Sequence, residues 1–199
     1  MAGRISRRSI CCLTGDPVTG RSNTFLWFGL LGALALYAYY NKVPAQAQQL
    51  ISELGDKWTN LNPQMQAAAL AVIGSLKAQG VLVGIPDTGG WRSVADQQAV
   101  PADDTNVVNP LDSYHVWGLA VDFVPLDALG NFNWPDASDP VWTTIGNAIK
   151  AAGLTWGGNF TTIKDMPHGE LHLDTLADLQ ATYSDPMDYV TANAGGSLA

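Results

Sequence analysis

An uncharged apolar run, TFLWFGLLGALALYAYY, stands near the start of the chain at residues 24–40. A helix of about 17 to 25 apolar residues can cross a bilayer. Aromatic side chains at both ends of the run suit the two membrane–water interfaces. The pattern therefore predicts a membrane-spanning helix within residues 23–41, with the lipid bilayer as its partner through residues 24–40.

The residues on either side of this run favour a membrane helix with its N-terminus inside, and they leave a cleaved signal peptide as the alternative. Residues 1–22 contain four arginines and a single acidic residue, Asp16, so we interpret them as a basic tail that stays in the cytoplasm or inside a virion. The protein would then be a single-pass membrane protein with its C-terminal domain on the periplasmic or wall side. Ala45-Gln46-Ala47 has the pattern of a signal-peptide cleavage site, and cleavage there would give a secreted protein.

Helical and strand periodicities follow the apolar run. We expect a helical stalk over residues 42–60 and a helix from Pro63 to Gln79, with Asn62 as its N-cap and Gly80 at its end. The short apolar run Val81–Ile85 predicts a buried strand. Further elements are a strand with two distinct faces over Leu119–Val124, a helix over Val141–Ala152, a strand at HGELHLD and a helix near Leu176–Tyr183.

These elements predict an α+β domain over residues 61–185, in which a small antiparallel sheet carries the functional site and helices pack on one side of it. We expect residues 186–199 to form a flexible tail, because the chain ends in small and polar residues.

Charge and cysteine content exclude two classes of protein. The formal net charge is −8, and the residues after the apolar run are strongly acidic, whereas nucleic-acid binding needs a basic face. We therefore expect no nucleic-acid partner. The two cysteines, Cys11 and Cys12, are adjacent and precede the apolar run, so the domain has no disulfide framework.

Two stretches hold all three histidines of the chain. SYHVWGLAVDF starts at Ser113 and contains His115 and Asp122, while WGGNFTTIKDMPHGELHL starts at Trp156. Two imidazoles and a carboxylate can hold zinc with a position left open, and a second carboxylate nearby can act as a base. His115 and Asp122 are an odd number of residues apart, so an unbroken strand would place them on opposite faces. We expect the chain to bend between them at Gly118.

The two stretches together resemble the zinc peptidases of the D-alanyl-D-alanine carboxypeptidase and VanY-like group. They are most similar in pattern to phage endolysins that cut the L-alanyl-D-glutamate bond of peptidoglycan. The resemblance covers roughly residues 61–173 and includes GGWRSVADQQ at residues 89–98. Gly169 departs from the pattern, because the family usually has an aromatic residue there. The matching positions are Ser113, His115, Gly118, Ala120, Asp122, Trp156, Gly157, Gly158, Asp165, Pro167, His168 and Glu170.

The resemblance implies a role for each of these polar residues. His115, Asp122 and His168 would bind one zinc ion, and Asp165 would be the catalytic base. Arg92 would hold a substrate carboxylate or the developing oxyanion. Glu170 would orient a metal-bound imidazole. Substrate contacts are expected from Arg92, Gln98, Ser113 and His172, although His172 could equally be a polar residue on an open face.

The function that we expect is zinc-dependent hydrolysis of the peptide stem of peptidoglycan, at the membrane face of the wall. It would serve phage or virion entry, lysis or bacterial wall remodelling. A D,D-carboxypeptidase of the same family is an alternative, as is a wall-binding or virion structural protein that keeps the fold without catalysis. A purely structural zinc site is disfavoured, because such sites use four protein ligands, often cysteine.

Overall fold

The computed structural model describes residues 53–101 and 107–193. The helices in these ranges are α1 (Asp56–Thr59), α2 (Pro63–Ala78), α3 (Val94–Gln98), α4 (Pro140–Ala151), α5 (Leu176–Thr182) and α6 (Pro186–Asn193). Short 3-10 helices cover Pro110–Asp112 and Gly157–Asn159. The strands are β1 (Val83–Gly84), β2 (Ala120–Asp122), β3 (Val124–Pro125), β4 (Thr155–Trp156) and β5 (His168–Glu170).

The strands form two small antiparallel sheets. β1 pairs with β3, and a second sheet has the order β2-β5-β4. The predicted α+β class with a small antiparallel sheet is therefore confirmed. The second sheet joins the two histidine-containing stretches, because β2 comes from one of them and β4 and β5 come from the other.

Helices α2 and α4 begin at the caps that the sequence supplies. The Asn62 side chain accepts a hydrogen bond from the backbone of Gln64 at the start of α2, and the Asp139 side chain accepts one from Val141 at the start of α4. A proline stands in the first turn of each helix, where its missing N–H removes no helical hydrogen bond. Both helices bury their apolar faces in one core with Val121, Phe123 and neighbouring side chains.

The strand predicted over Leu119–Val124 is divided between the two sheets. The register pairs Asp122 with His168, so the next pair along the ladder would be Phe123 and Pro167. Phe123 donates its N–H to the Pro167 carbonyl at 2.9 Å, but proline has no N–H to return. The ladder therefore ends there, and Val124 and Pro125 pair with β1 instead.

The N-terminal predictions lie mostly outside the described residues. Residues 1–22, the apolar run 24–40 and most of the expected stalk belong to this part of the chain. Leu54 and Trp58, at the end of the expected stalk, are buried in the same core as α2. In the ranges that the structure covers, no helix combines the length and the apolar character needed to cross a membrane.

Residues 186–193 differ from the flexible tail expected over residues 186–199, and the rest of that range lies outside the described residues. Pro186–Asn193 forms helix α6, and Tyr189 and Val190 on this helix are buried. Tyr189 packs against Trp117 with the two rings edge to face at 6.0 Å. The small and polar composition of these residues predicts a loose end, but the helix docks through its buried residues Pro186, Tyr189 and Val190.

Gly118 makes the bend that the histidine–aspartate spacing requires. Its φ of 66° lies in the left-handed region, and a Cβ atom there would collide with the backbone oxygen of Asn60. Residues with a side chain are disfavoured in this region by about 1–2 kcal/mol. The predicted bend at Gly118 is therefore confirmed, and the position has no room for a larger residue.

We expect Gly118→Ala to lower the free energy of unfolding by about 3 kcal/mol, because backbone strain and overpacking add. Gly130→Ala is the matched control: its φ is 87°, but a Cβ atom there meets nothing within 4 Å. The control should lose only about 1 kcal/mol. Urea unfolding of both variants measures the difference, and equal losses would show that the contact with Asn60 relaxes without cost.

Candidate metal centre

The register of β2 and β5 brings the two histidine-containing stretches together. Asp122 lies directly across from His168, and Ala120 lies across from Glu170. His115 completes the cluster from the preceding turn. The candidate ligand atoms of His115, Asp122 and His168 all lie within 4.8 Å of one another, and all three residues are buried. The structure thus assembles the three side chains for which the sequence predicts a metal site.

The GGWR segment at residues 89–92 holds the first two of these residues in place. The Gly90 carbonyl accepts a hydrogen bond from Nδ1 of His115 at 2.8 Å, and the Gly89 carbonyl accepts one from the backbone N–H of Asp122 at 2.7 Å. A Cβ atom on Gly90 would lie 2.5 Å from the Lys57 carbonyl oxygen. Glycine at this position therefore lets the segment approach closely enough to orient His115.

Asp122 divides its two oxygens between the cluster and an arginine. Oδ1 lies 3.1 Å from Nδ1 of His168 and 3.3 Å from Nε2 of His115. Oδ2 accepts a hydrogen bond from Nη2 of Arg92 at 2.7 Å. Arg92 also donates to the Gln97 side chain and to the Thr88 carbonyl. Arg92 therefore orients Asp122 in this structure, and its contact with substrate stays a prediction.

The donor atoms fit a divalent cation. The outer nitrogen of each imidazole donates to oxygen, Nδ1 of His115 to Gly90 and Nε2 of His168 to Glu170 at 3.1 Å. The inner nitrogens, Nε2 of His115 and Nδ1 of His168, then face each other at 3.2 Å beside the Asp122 carboxylate. When His168 is neutral, the two inner lone pairs and the carboxylate are directed at one point, a donor set that suits zinc and similar ions, and the outer hydrogen bonds fix the required tautomers.

The charges of the cluster show the same preference for a cation. Burial disfavours a charge on His168, but the hydrogen bonds that it donates to Asp122 and Glu170 prevail and raise its pKa to about 10. Burial also opposes ionisation of Asp122, yet the neighbouring His115 and His168 hold its pKa well below the usual range. Burial lowers the pKa of His115. The site therefore keeps Asp122 ionised and attracts positive charge.

Asp165 is more exposed than Asp122, and its pKa is shifted upwards rather than downwards. Its side chain is 44% exposed, against 11% for Asp122, and its Oδ2 lies 3.9 Å from Nδ1 of His168. Desolvation, followed by the charge of Asp122, raises the pKa of Asp165 to about 6. A carboxylate with a pKa near the working pH, at the open side of the cluster, is suited to proton transfer.

The WGG motif places Asp165. The Gly157 carbonyl accepts the backbone N–H of Asp165 at 3.1 Å, and a Cβ atom on Gly157 would lie 2.9 Å from Cβ of His168. The Trp156 indole donates to the Met166 carbonyl at 2.8 Å. Gly146 and Gly158 both approach the Trp156 ring too closely to carry a side chain. This close packing fixes the loop that presents Asp165 to the cluster.

Gly169, the departure from the family pattern, faces the helical core. A Cβ atom on it would lie 3.1 Å from Cγ2 of Ile149 and 3.3 Å from Cε2 of Phe123. These two side chains occupy the space that a larger residue would need. The departure thus concerns packing behind the sheet, on the side away from the cluster.

An open cleft of about 1160 Å³ leads to the cluster, with His115, Asp122, Asp165 and His168 in its lining. Ser113 is buried and lines the cleft. Gln98 is exposed, whereas Gln97 is buried, lines the cleft and contacts Arg92. Gln97, rather than the predicted Gln98, therefore lines the cleft, because successive residues of helix α3 point to different faces.

Glu170 and His172 form a second layer behind His168. Glu170 accepts hydrogen bonds from both imidazoles, at 3.1 Å from Nε2 of His168 and at 2.7 Å from Nε2 of His172. His172 follows the end of β5, its side chain is 48% exposed, and it stacks on Tyr114. The sequence did not predict Tyr114 as a residue of the site, although its position directly before His115 places it close to the cluster.

Comparisons with known proteins show similarity to one family and to two individual proteins. Residues 108–171 match the sequence profile of a family described as D-alanyl-D-alanine carboxypeptidase. The chain is 26% identical over 163 residues to the peptidoglycan L-alanyl-D-glutamate endopeptidase CwlK of Bacillus subtilis (strain 168), covering 75% of this chain and 96% of that protein. It is similar to the crystal structure of the Serratia marcescens L-Ala D-Glu endopeptidase ChiX, with a TM-score of 0.45 and 24% identity over 68% of this chain and 90% of the other.

The match to the family profile contains the whole cluster. His115, Asp122 and His168 lie within residues 108–171, as does Asp165. The residues that match are therefore those that the fold gathers around one buried point beside an open cleft. Residues 108–171 are therefore similar to the D-alanyl-D-alanine carboxypeptidase family, and His115, Asp122 and His168 form a candidate metal site of the kind that a metallopeptidase uses.

Proposed function

We propose that this protein is a zinc-dependent hydrolase of the peptide stem of peptidoglycan that cuts the L-alanyl-D-glutamate bond. The observation that carries the proposal is the buried cluster of His115, Asp122 and His168, with the half-exposed Asp165 beside it in an open cleft. The similarity to an enzyme named for this bond supports the choice of substrate.

The residues of the cluster divide the chemistry among them. His115, Asp122 and His168 would hold zinc, which when bound supplies a Lewis acid for the scissile carbonyl and makes water more acidic. Asp165 accepts the proton of the attacking water and passes it to the leaving amine nitrogen. Arg92 holds Asp122 through its outer oxygen. Ser113 lies in the cleft lining, where it can contact the substrate backbone.

The size of the cleft is compatible with an endopeptidase. Pockets for small ligands measure about 300–1,000 Å³, whereas this cleft measures about 1160 Å³ and is open to solvent. Trp134, Phe160 and Ile163 line it together with the metal cluster. A peptide that continues on both sides of the scissile bond can lie in such a cleft. A D,D-carboxypeptidase is the second candidate, because the matching family carries that description.

The test is digestion of purified peptidoglycan by the full chain, with product identification by mass spectrometry. New L-alanine carboxyl ends that disappear with chelator and return with zinc are the expected result. Release of free D-alanine would assign the carboxypeptidase reaction instead. A folded, zinc-loaded protein that releases neither product would favour a wall-binding or virion structural protein.

We also propose that residues 24–40 anchor the protein in a membrane with the peptidase domain on the wall side. The support is the uncharged apolar run with a basic segment before it. Alkaline extraction of membranes containing the full chain tests this, because an anchored protein stays in the pellet. The mass of the mature chain separates the alternative, since cleavage after Ala47 would remove the run and release the protein.

A further inference from the structure

A chain of hydrogen bonds connects His168, in the metal cluster, through Glu170 to His172 at the protein surface. Nε2 of His168 donates to Oε2 of Glu170 at 3.1 Å, and Nε2 of His172 donates to Oε1 of the same carboxylate at 2.7 Å. The Glu170 side chain is 11% exposed. Both of its oxygens are therefore engaged by imidazoles, and the orientation of Glu170 depends on both.

Tyr114 holds the outer imidazole in place. Its ring stacks on the His172 ring with centroids 4.8 Å apart and planes 25° from parallel. Its hydroxyl donates to the Asp174 carbonyl at 3.3 Å. The aromatic stack compensates for the exposure of His172, which alone would let a half-exposed side chain sample several rotamers.

The stacked pair also connects the two stretches that carry the metal ligands. Tyr114 directly precedes His115 in the chain, and its carbonyl accepts the Leu119 N–H at 3.0 Å within the bend. His172 follows β5, which carries His168. Contact between Tyr114 and His172 thus restrains the position of one ligand relative to the other. His172 itself does not border the cleft.

We propose that His172, held by Tyr114, is a positioning residue for the metal site: it fixes Glu170, which fixes the tautomer and orientation of His168. This role replaces the substrate contact that the sequence suggested for His172. The inference rests on the metal-binding function proposed above. Partners that orient a ligating histidine typically contribute about 10- to 100-fold to metal affinity, and we expect a smaller share from a residue one step further out.

Two substitutions at position 172 separate the hydrogen bond from the stack. His172→Phe keeps a ring against Tyr114 but cannot donate to Glu170, whereas His172→Gln keeps a donor and loses the ring. We expect His172→Phe to raise the zinc dissociation constant about 3- to 10-fold, and His172→Gln to raise it less, because the direct contact with Glu170 carries the effect. Glu170→Gln is the reference and should cost about 10-fold or more.

The measurement is competition for zinc with a chromophoric chelator, made on the full chain. Leu173→Ala is the matched control, since Leu173 is the next residue and is 41% exposed; it should bind zinc like the parent protein. Visible spectra of the cobalt-loaded variants report ligand geometry independently of activity. Melting temperatures close to that of the parent would show that each variant is folded.

Three outcomes would overturn the inference. Unchanged zinc affinity in His172→Phe together with a raised KM would make His172 a substrate contact. Unchanged affinity and unchanged kinetics would leave it without a role at the site. Additive effects in the double variant Tyr114→Leu/His172→Phe would show that the two rings do not act as one unit. A parent protein that binds no zinc would instead contradict the proposed function.

Discussion

Removal of the bound metal by a strong chelator is expected to abolish hydrolysis and to lower the melting temperature, and zinc should restore both. The reason is that three buried groups converge on one point, with the Asp122 carboxylate ionised by its surroundings. A ligand that binds only the folded state stabilises it by about 4 kcal/mol at a thousandfold excess over its dissociation constant. Calorimetric unfolding with and without zinc, alongside the digestion assay, measures both effects.

Magnesium provides the matched control for this experiment. It prefers six oxygen ligands in an octahedral arrangement, so a site with two imidazole nitrogens should bind it weakly. We expect magnesium to restore neither stability nor activity. Full activity in a protein shown to contain no metal would refute the metallopeptidase mechanism. Zinc that restores stability without hydrolysis would instead identify a structural metal.

The bend between two of the candidate metal ligands could be predicted from the sequence because the constraint on it is local. His115 and Asp122 need a bend between them, and Gly118 has the positive φ that provides it. The pairing of Asp122 with His168 is different, since it depends on the register of two strands 46 residues apart. No local pattern encodes that register, and the resemblance to a known family implied only that the two stretches share one metal site.

Contacts at the edge of the site could not be predicted either, because no local sequence pattern specifies them. Gln98 was predicted to contact substrate, but Gln97 is the residue that lines the cleft. Which of two adjacent residues faces the cleft depends on the rotation of α3, and a short polar helix has no hydrophobic periodicity from which to predict that rotation. The stack between Tyr114 and His172 joins residues 58 positions apart in the sequence. Likewise, α6 docks through Tyr189 onto Trp117, a contact that the composition of the C-terminal residues did not indicate.

Asp165→Asn is expected to lower kcat by about 10²- to 10⁴-fold, the usual contribution of a general base, while zinc content stays unchanged and the melting temperature does not fall. The amide has the shape of the carboxylate but cannot accept the proton. Asp165 is the half-exposed carboxylate of the site, 3.9 Å from His168, and so can be changed without disturbing the buried ligands. Asp122→Asn, in contrast, should lose zinc together with activity.

The pH profile gives a second readout of Asp165. Its surroundings raise its pKa to about 6, chiefly through desolvation and the charge of Asp122. A base works only when deprotonated, so kcat/KM of the parent protein should fall as pH drops through the pKa of Asp165. Because a bound cation favours the carboxylate, the acid limb should lie at or below about pH 6. Asp87→Asn, which changes another cleft carboxylate, should keep both the rate and this limb. A parent-like rate in Asp165→Asn would assign proton transfer to a different group.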